Sequence, residues 1–194
     1  MESEWKKDLR TSTEAFQRLV WPAVSPLIQG GRLIVCESNM STDLHRALDM
    51  HAGIDAWQVN ESNGRMRGIA SRVQFLPPAV CGWDTFTIRH SRVSGTKTEF
   101  QKRCEAADQA TEGWLLPHLT IQAYTDKPPL ALLSAAVVKT TDLLIYARKH
   151  EHENSRTTIY RKSTHNAIFL VIPWQNLLRD GVWVGVVRGE PISS

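Results

Sequence analysis

The stretch GIDAWQVNESNGRMRGIASRVQF, residues 53–75, decides how this chain is read. Two strand-like runs, Ile54–Glu61 and Met66–Phe75, flank Ser62-Asn63-Gly64-Arg65. Asn-Gly is the strongest short hairpin signal, because both residues tolerate positive φ. With Asn63-Gly64 as a two-residue loop, Val59 faces Gly68, Trp57 faces Ala70 and Asp55 faces Arg72. Side chains alternate along a strand. Ile54, Ala56, Ile69, Ser71, Val73 and Phe75 therefore share one mostly apolar face, the expected core side. Asp55, Trp57, Arg72 and Gln74 fall together on the other.

Upstream of the hairpin, Thr11 and Glu14 fit a capping box ahead of Phe16, Leu19 and Val20 at helical spacing. Pro22 is expected to kink or break that helix after Trp21, and Gly30-Gly31 to end its continuation. Arg32–Glu37 reads as a strand, and Ser41 or Thr42 caps a short helix that stops at Gly53. Downstream, Thr85–Arg89 is a strand. Thr96-Lys97-Thr98-Glu99 is a second capping box, opening a helix with Phe100, Cys104 and Ala107 on one face and Gly113 as its stop. His118–Thr125 reads as a strand, whereas Leu130–Val138 fits a strand or a buried helix. Thr140 caps a helix to Arg148, and His150–Arg156 is a charged loop. Thr157–Lys162 and Ala167–Ile172 are strands, Pro173 opens a short helix over Trp174–Leu178, and Val182–Val187 is a final strand. The class is α/β, a mixed sheet flanked by helices. One domain over residues 1–194 is expected, with a core at about 30–125 and an extension at about 130–194.

Composition narrows the function classes without choosing one. The chain has 194 residues, 42% hydrophobic and 22% charged, which disfavours long disorder. No apolar run approaches the ~20 residues of a bilayer span, and Met1–Lys7 has no apolar leader, so no membrane partner is expected. A net charge of +3 permits a nucleic-acid partner and does not demand one. Three scattered cysteines, Cys36, Cys81 and Cys104, read as free thiols of a reducing compartment, and a cytoplasmic location is expected.

The hairpin and its flanks resemble the core of the PD-(D/E)XK restriction-endonuclease-like superfamily. Gly53-Ile54-Asp55-Ala56-Trp57, the Asn63-Gly64 turn and Ile69–Phe75 carry the resemblance, which covers roughly residues 30–125. In that family one strand begins with a metal-binding Asp and the next carries an acid and a Lys two positions apart. Asp55 matches the first slot; Arg72 and Gln74 occupy the acid and Lys slots. The resemblance implies a divalent-metal-dependent nuclease acting on DNA phosphodiesters, with Mg²⁺ or Mn²⁺ held by Asp55, assisted by Glu37, where some members supply a further acid; if the missing acid has moved, Glu37, Asp49 and Glu99 are the candidates. Mg²⁺ keeps several waters, so one or two carboxylates suffice. Arg72 brings positive charge where an acid is expected, and Gln74 lacks the charge of Lys. Two readings therefore stay open: a nuclease, or a catalytically inactive nuclease-fold protein that binds nucleic acid or protein, such as a mobile-element accessory factor.

Other residues carry weaker signals. Arg89, Arg92 and Lys97, followed by Lys102 and Arg103, run into a helix N-terminus, where unpaired N–H groups attract phosphate. Trp57 shares the Asp55 face and could stack a base; a core role competes with that. Glu99 reads equally as the closing residue of its capping box. His150-Glu151-His152-Glu153 lacks a third ligand at metal spacing and reads as surface. Trp21, Trp114, Trp174 and Trp183 are expected core anchors, and His118 and His165 structural.

Overall fold

The computed structural model describes residues 11–36, 52–76, 83–109, 115–126 and 131–189. Its chain order is helix α1 (11–28), β1 (Arg32–Val35), β2 (Ala56–Asn60), β3 (Arg65–Leu76), β4 (Thr85–Arg92), α2 (Glu99–Asp108), β5 (Leu119–Asp126), β6 (Leu132–Lys139), α3 (Thr140–His150), β7 (Tyr160–Ser163), β8 (Ala167–Pro173), α4 (Trp174–Arg179) and β9 (Val184–Arg188). A six-stranded sheet runs β1-β2-β3-β5-β6-β9, and a three-stranded sheet runs β4-β8-β7. Among the described residues only β3 and β5 pair in parallel; every other pairing is antiparallel. The class is thus α/β with a mixed sheet. Strands β6 and β9 continue the same sheet as β1, β2, β3 and β5, and β8 pairs with β4.

A parallel neighbour needs a crossover, and here β4 and α2 supply it between β3 and β5. Alternation along the central strands feeds two cores. Ile121, Ala123, Ala135 and Val137 join Phe16, Val20, Trp21 and Val24 of α1 on one face. Tyr124, Ala136 and Val138 point the other way, to Phe86, Ile88, Leu143 and Leu170 of the small sheet and α3. Both faces of β5 are covered, and all eight of its residues are buried.

The hairpin forms, but not in the expected register. Asn60 pairs with Arg65, Val59 with Met66 and Trp57 with Gly68, a shift of two residues. The loop is the four residues Glu61–Gly64. A two-residue type I′ turn needs positive φ at both positions, and here Gly64 has it (+67°) while Asn63 does not. The Asn side chains explain the longer loop. Asn60 accepts from the Ser62 N–H at 3.1 Å, and Asn63 accepts from the Arg65 N–H at 3.0 Å, locking a wider turn. A shift of two preserves the faces and moves Asp55 away from Arg72.

Other local expectations are corrected by similar competition. Residues 11–15 are already helical, so Thr11 does not cap. Pro22 does not break α1: a π turn over Phe16–Val20 precedes it, and the helix continues through Trp21–Val24 to a 3₁₀ turn at Ser25–Ile28. Gln58 of β2 donates to the Ile28 carbonyl at 2.9 Å and also to Gly30, supplying donors at the helix end. Gly31 then passes β2 at φ +116°, where a Cβ would lie 2.9 Å from the Val59 carbonyl oxygen. Leu132–Lys139 is strand rather than helix. Thr140 is the first residue of α3, not its cap; its hydroxyl meets that of Thr120 at 2.9 Å. Trp21 and Trp174 are buried as expected, whereas Trp183 is 49% exposed. The short helix expected after Ser41, and Cys81, Trp114 and Gly113, lie outside the described residues. Among the described residues, no helix is long and apolar enough to cross a membrane.

Candidate functional site

Gly68, Ala70, Arg72 and Gln74 of β3 stand on the same face as Thr120 and Gln122 of β5, because parallel neighbours share parity. Helix α2 and strand β4 cover that face. The result is a cavity of about 170 Å³ whose lining includes Asp55, Arg72, Thr87, Glu99, Arg103 and Gln122. The structure thus brings together Asp55 and Arg72 of the hairpin reading and Glu99, a separate candidate acid.

Asp55 sits just ahead of β2. Its Oδ2 accepts the Ser71 N–H at 2.5 Å, which fixes the carboxylate against β3. Arg72 does not stand opposite it. Instead the Arg72 Nη1 donates to the Thr87 carbonyl and hydroxyl, both at 3.0 Å, tying β3 to β4.

Glu99 reaches the cavity because the capping box is two residues later than expected. Thr98 is the N-cap of α2 and accepts from the Gln101 N–H, while the Gln101 side chain accepts from the Thr98 N–H. Phe100 and Cys104 bury on the helix face below. Glu99 is left at the first helical position with its carboxylate outside the cap. Its Oε1 pairs with Arg103 at 2.7 Å, and its Oε2 lies 3.8 Å from Arg72. Burial pushes the Glu99 carboxyl up, but Arg103, Arg72 and the Arg89 backbone N–H outweigh it and hold it below the usual range.

Arg103 belongs to the basic stretch noted in the sequence, whereas Gln122 lies outside it. Arg103 is only 6% exposed, yet its Nε and Nη1 have no hydrogen-bond partner among the described residues. The Gln122 Oε1 accepts from the Thr87 N–H and hydroxyl at 3.3 and 3.1 Å, leaving its buried Nε2 without a partner among the described residues. Buried donors are almost always satisfied, so three on two cavity-lining side chains leave hydrogen-bonding capacity unused beside the cavity. The readable signal was Thr120 and Gln122 at period two in HLTIQAYT, a polar stripe on a central strand.

The remaining predicted residues are scattered. Gln74 lines a neighbouring cavity with Thr87. Arg89 is half-buried; burial first, then Arg92 and Arg72, lowers its pKa. Arg72 and Arg89 lie 5.3 and 5.4 Å from the centre of the Phe169 ring. Arg92 and Lys97 are exposed, Lys97 pairing with Glu105 at 2.7 Å. Trp57 pairs with Ile34 and Gly68 in the sheet and lines neither cavity. Glu37 and Asp49 lie outside the described residues. Among the described residues no three His, Cys, Asp or Glu side chains converge as metal ligands. His150 caps its own turn through Glu153 at 2.8 Å, and His118 accepts the Gly68 N–H at 2.9 Å.

No protein-family model matches the chain, and no solved structure does. Two curated relatives do, both called riboflavin biosynthesis protein RibBA, from Nocardia farcinica and Rhodococcus jostii. Each is 30% identical over 87 residues, 45% of this chain and 20% of the relative. The chain spans about a fifth of the length of these relatives, so the likeness is to a segment of each.

Proposed function

We propose that this chain is a nuclease-like protein that takes a DNA phosphodiester into the cavity between β3, β5 and α2 and cuts it with a divalent cation. One observation carries the reading: Arg103 and Gln122, whose buried Arg103 Nε and Nη1 and Gln122 Nε2 have no hydrogen-bond partner among the described residues, line the same cavity as two carboxylates. Phosphate oxygens are the acceptors such donors suit, and a guanidinium binds them in a fork. The order of helix, strand, hairpin, strand, helix and parallel strand also supports the PD-(D/E)XK-like reading.

Asp55 and Glu99 would hold the cation. Their hard oxygens suit Mg²⁺ or Mn²⁺, and two carboxylates are enough when water and substrate complete the shell. When bound, the metal supplies charge neutralisation and an activated water. The protein's own part is positional. Ser71 orients Asp55, Arg103 and Gln122 receive the phosphate, and Arg72 holds β4 against β3. The relatives' printed role in riboflavin biosynthesis rests on a fifth of their length and is not carried to this chain.

The test is cleavage of single-stranded and duplex DNA, and of RNA, with Mg²⁺ or Mn²⁺. Asp55→Asn and Glu99→Gln should each lower the rate at least ~100-fold, the scale of losing a charged group that acts on developing charge. Unchanged cleavage in both variants, or none in the wild type, sinks the enzyme reading. The second reading, a binding protein on the same frame, is favoured by the ion pairs that Arg103 and Arg72 already make with Glu99. It predicts DNA binding without cleavage and without any need for metal.

A further inference from the structure

A second cavity, of about 560 Å³, adjoins the first. It is built by the outer face of the small sheet. The register sets Thr87 beside Val171 and Val171 beside Tyr160; Arg89 stands beside Phe169, and Phe169 beside Lys162. Alternate residues of the same strands, Phe86, Ile88, Leu170 and Ile172, are buried in the core. Phe169 and Tyr160 therefore face a cavity and not the protein interior. Trp83 also lines it and is 41% exposed.

Cations surround these rings. The Lys162 Nζ lies 4.5 Å from the Trp83 ring centre, and Arg72 and Arg89 stack on Phe169. Gln74 and Thr87 give the cavity amide and hydroxyl groups. The two cavities share Thr87, and Arg72 both lines the smaller one and touches the ring that lines the larger.

From this adjacency we infer that the larger cavity is a nucleobase subsite, taking an unpaired base of the strand whose phosphate enters the smaller cavity. This rests on the phosphodiester reading of the smaller cavity and adds a substrate class to it: single-stranded or locally unpaired nucleic acid. Three aromatic rings flanked by cations match what a polynucleotide offers, a flat π-face next to an anion. A base stacked inside a duplex cannot present that face. The volume is that of a small-molecule pocket, ample for one base with its sugar. A free nucleotide offers the same chemistry, so the assay separates the two.

Binding is read by fluorescence anisotropy in Ca²⁺ and again in EDTA. The probes are a labelled single strand, its duplex, an abasic strand of equal length, and an unlabelled nucleoside monophosphate as competitor. The single strand should bind more tightly than the duplex or abasic strand. Trp83→Ala and Phe169→Leu should each weaken it roughly 5- to 100-fold, the range for losing one stacked base, while changing abasic-strand binding by less than about twofold. Phe169→Leu keeps an apolar side chain, and equal melting midpoints identify folded variants. Equal losses on the abasic strand, or no loss, remove the base subsite and leave the phosphodiester reading standing. Competition by the monophosphate at concentrations matching the oligonucleotide makes this a free-nucleotide site and overturns the polynucleotide assignment. Failure to bind any probe ends both.

Discussion

Glu99 is ionised inside the fold because two guanidiniums outweigh its burial, and that has a measurable consequence. Its folded carboxyl titrates below the ordinary 4.5. A depressed carboxylate adds stability that is present above the unfolded pKa and lost as pH falls through the folded value. The wild-type melting midpoint should therefore drop more steeply than that of Glu99→Gln between about pH 5 and pH 3. At pH 7 the variant should be less stable by about 1–2 kcal/mol, the cost of leaving Arg103 poorly paired in a partly exposed site. Parallel pH curves would show that Glu99 is not held by its arginines. The sequence hid this role for a simple reason. Thr96-Lys97-Thr98-Glu99 and Thr98-Glu99-Phe100-Gln101 both satisfy the capping pattern, and the fold uses the second.

At the scale of elements, the two sheets meet through β4 and β5, and Tyr124 is the joint. Its ring is fully buried against Trp83 and Trp174. Its hydroxyl donates to the Thr85 carbonyl at 2.9 Å. Thr85 faces Pro173, which has no N–H to give. Burial pushes the phenol up to about 12, from 10.0. Tyr124→Phe should cost about 1 kcal/mol at neutral pH. A raised phenol adds stability present below the unfolded pKa and lost as pH rises through the folded one. The wild-type advantage should thus shrink from pH 10 to about 12, as seen in urea midpoints. A constant gap across that range would show that the phenol is not protected. The elements themselves were largely legible. Leu132–Lys139 was not, because an unbroken apolar run fits either a buried strand or a buried helix, and its two sheet neighbours decide it.

At the scale of the molecule, the metal reading and the binding reading part on one measurement. A cation that binds only the native state must raise the melting midpoint. Mn²⁺ at about 100 times its Kd should raise it by roughly 5–10 °C in the wild type and not in Asp55→Asn. DNA binding with no Mn²⁺ shift in either protein would select the binding reading.

The amino-acid sequence by itself determined the class, the order of most elements, the hairpin and its two faces, since all of these follow from short-range periodicity and turn chemistry. It also placed Asp55 and Arg72 on one face, which a two-residue register shift leaves untouched. Only the tertiary structure decided that Asp55 and Arg72 do not stand opposite each other, that Glu99 leaves its cap, and that Arg103 and Gln122 line the same cavity as both carboxylates. It alone set Trp83, Tyr160 and Phe169 beside them. Those residues come from strands and a helix far apart in the chain. Their meeting depends on which edge each strand joins and where α2 begins, and burial of the whole core fixes both, which no local pattern encodes.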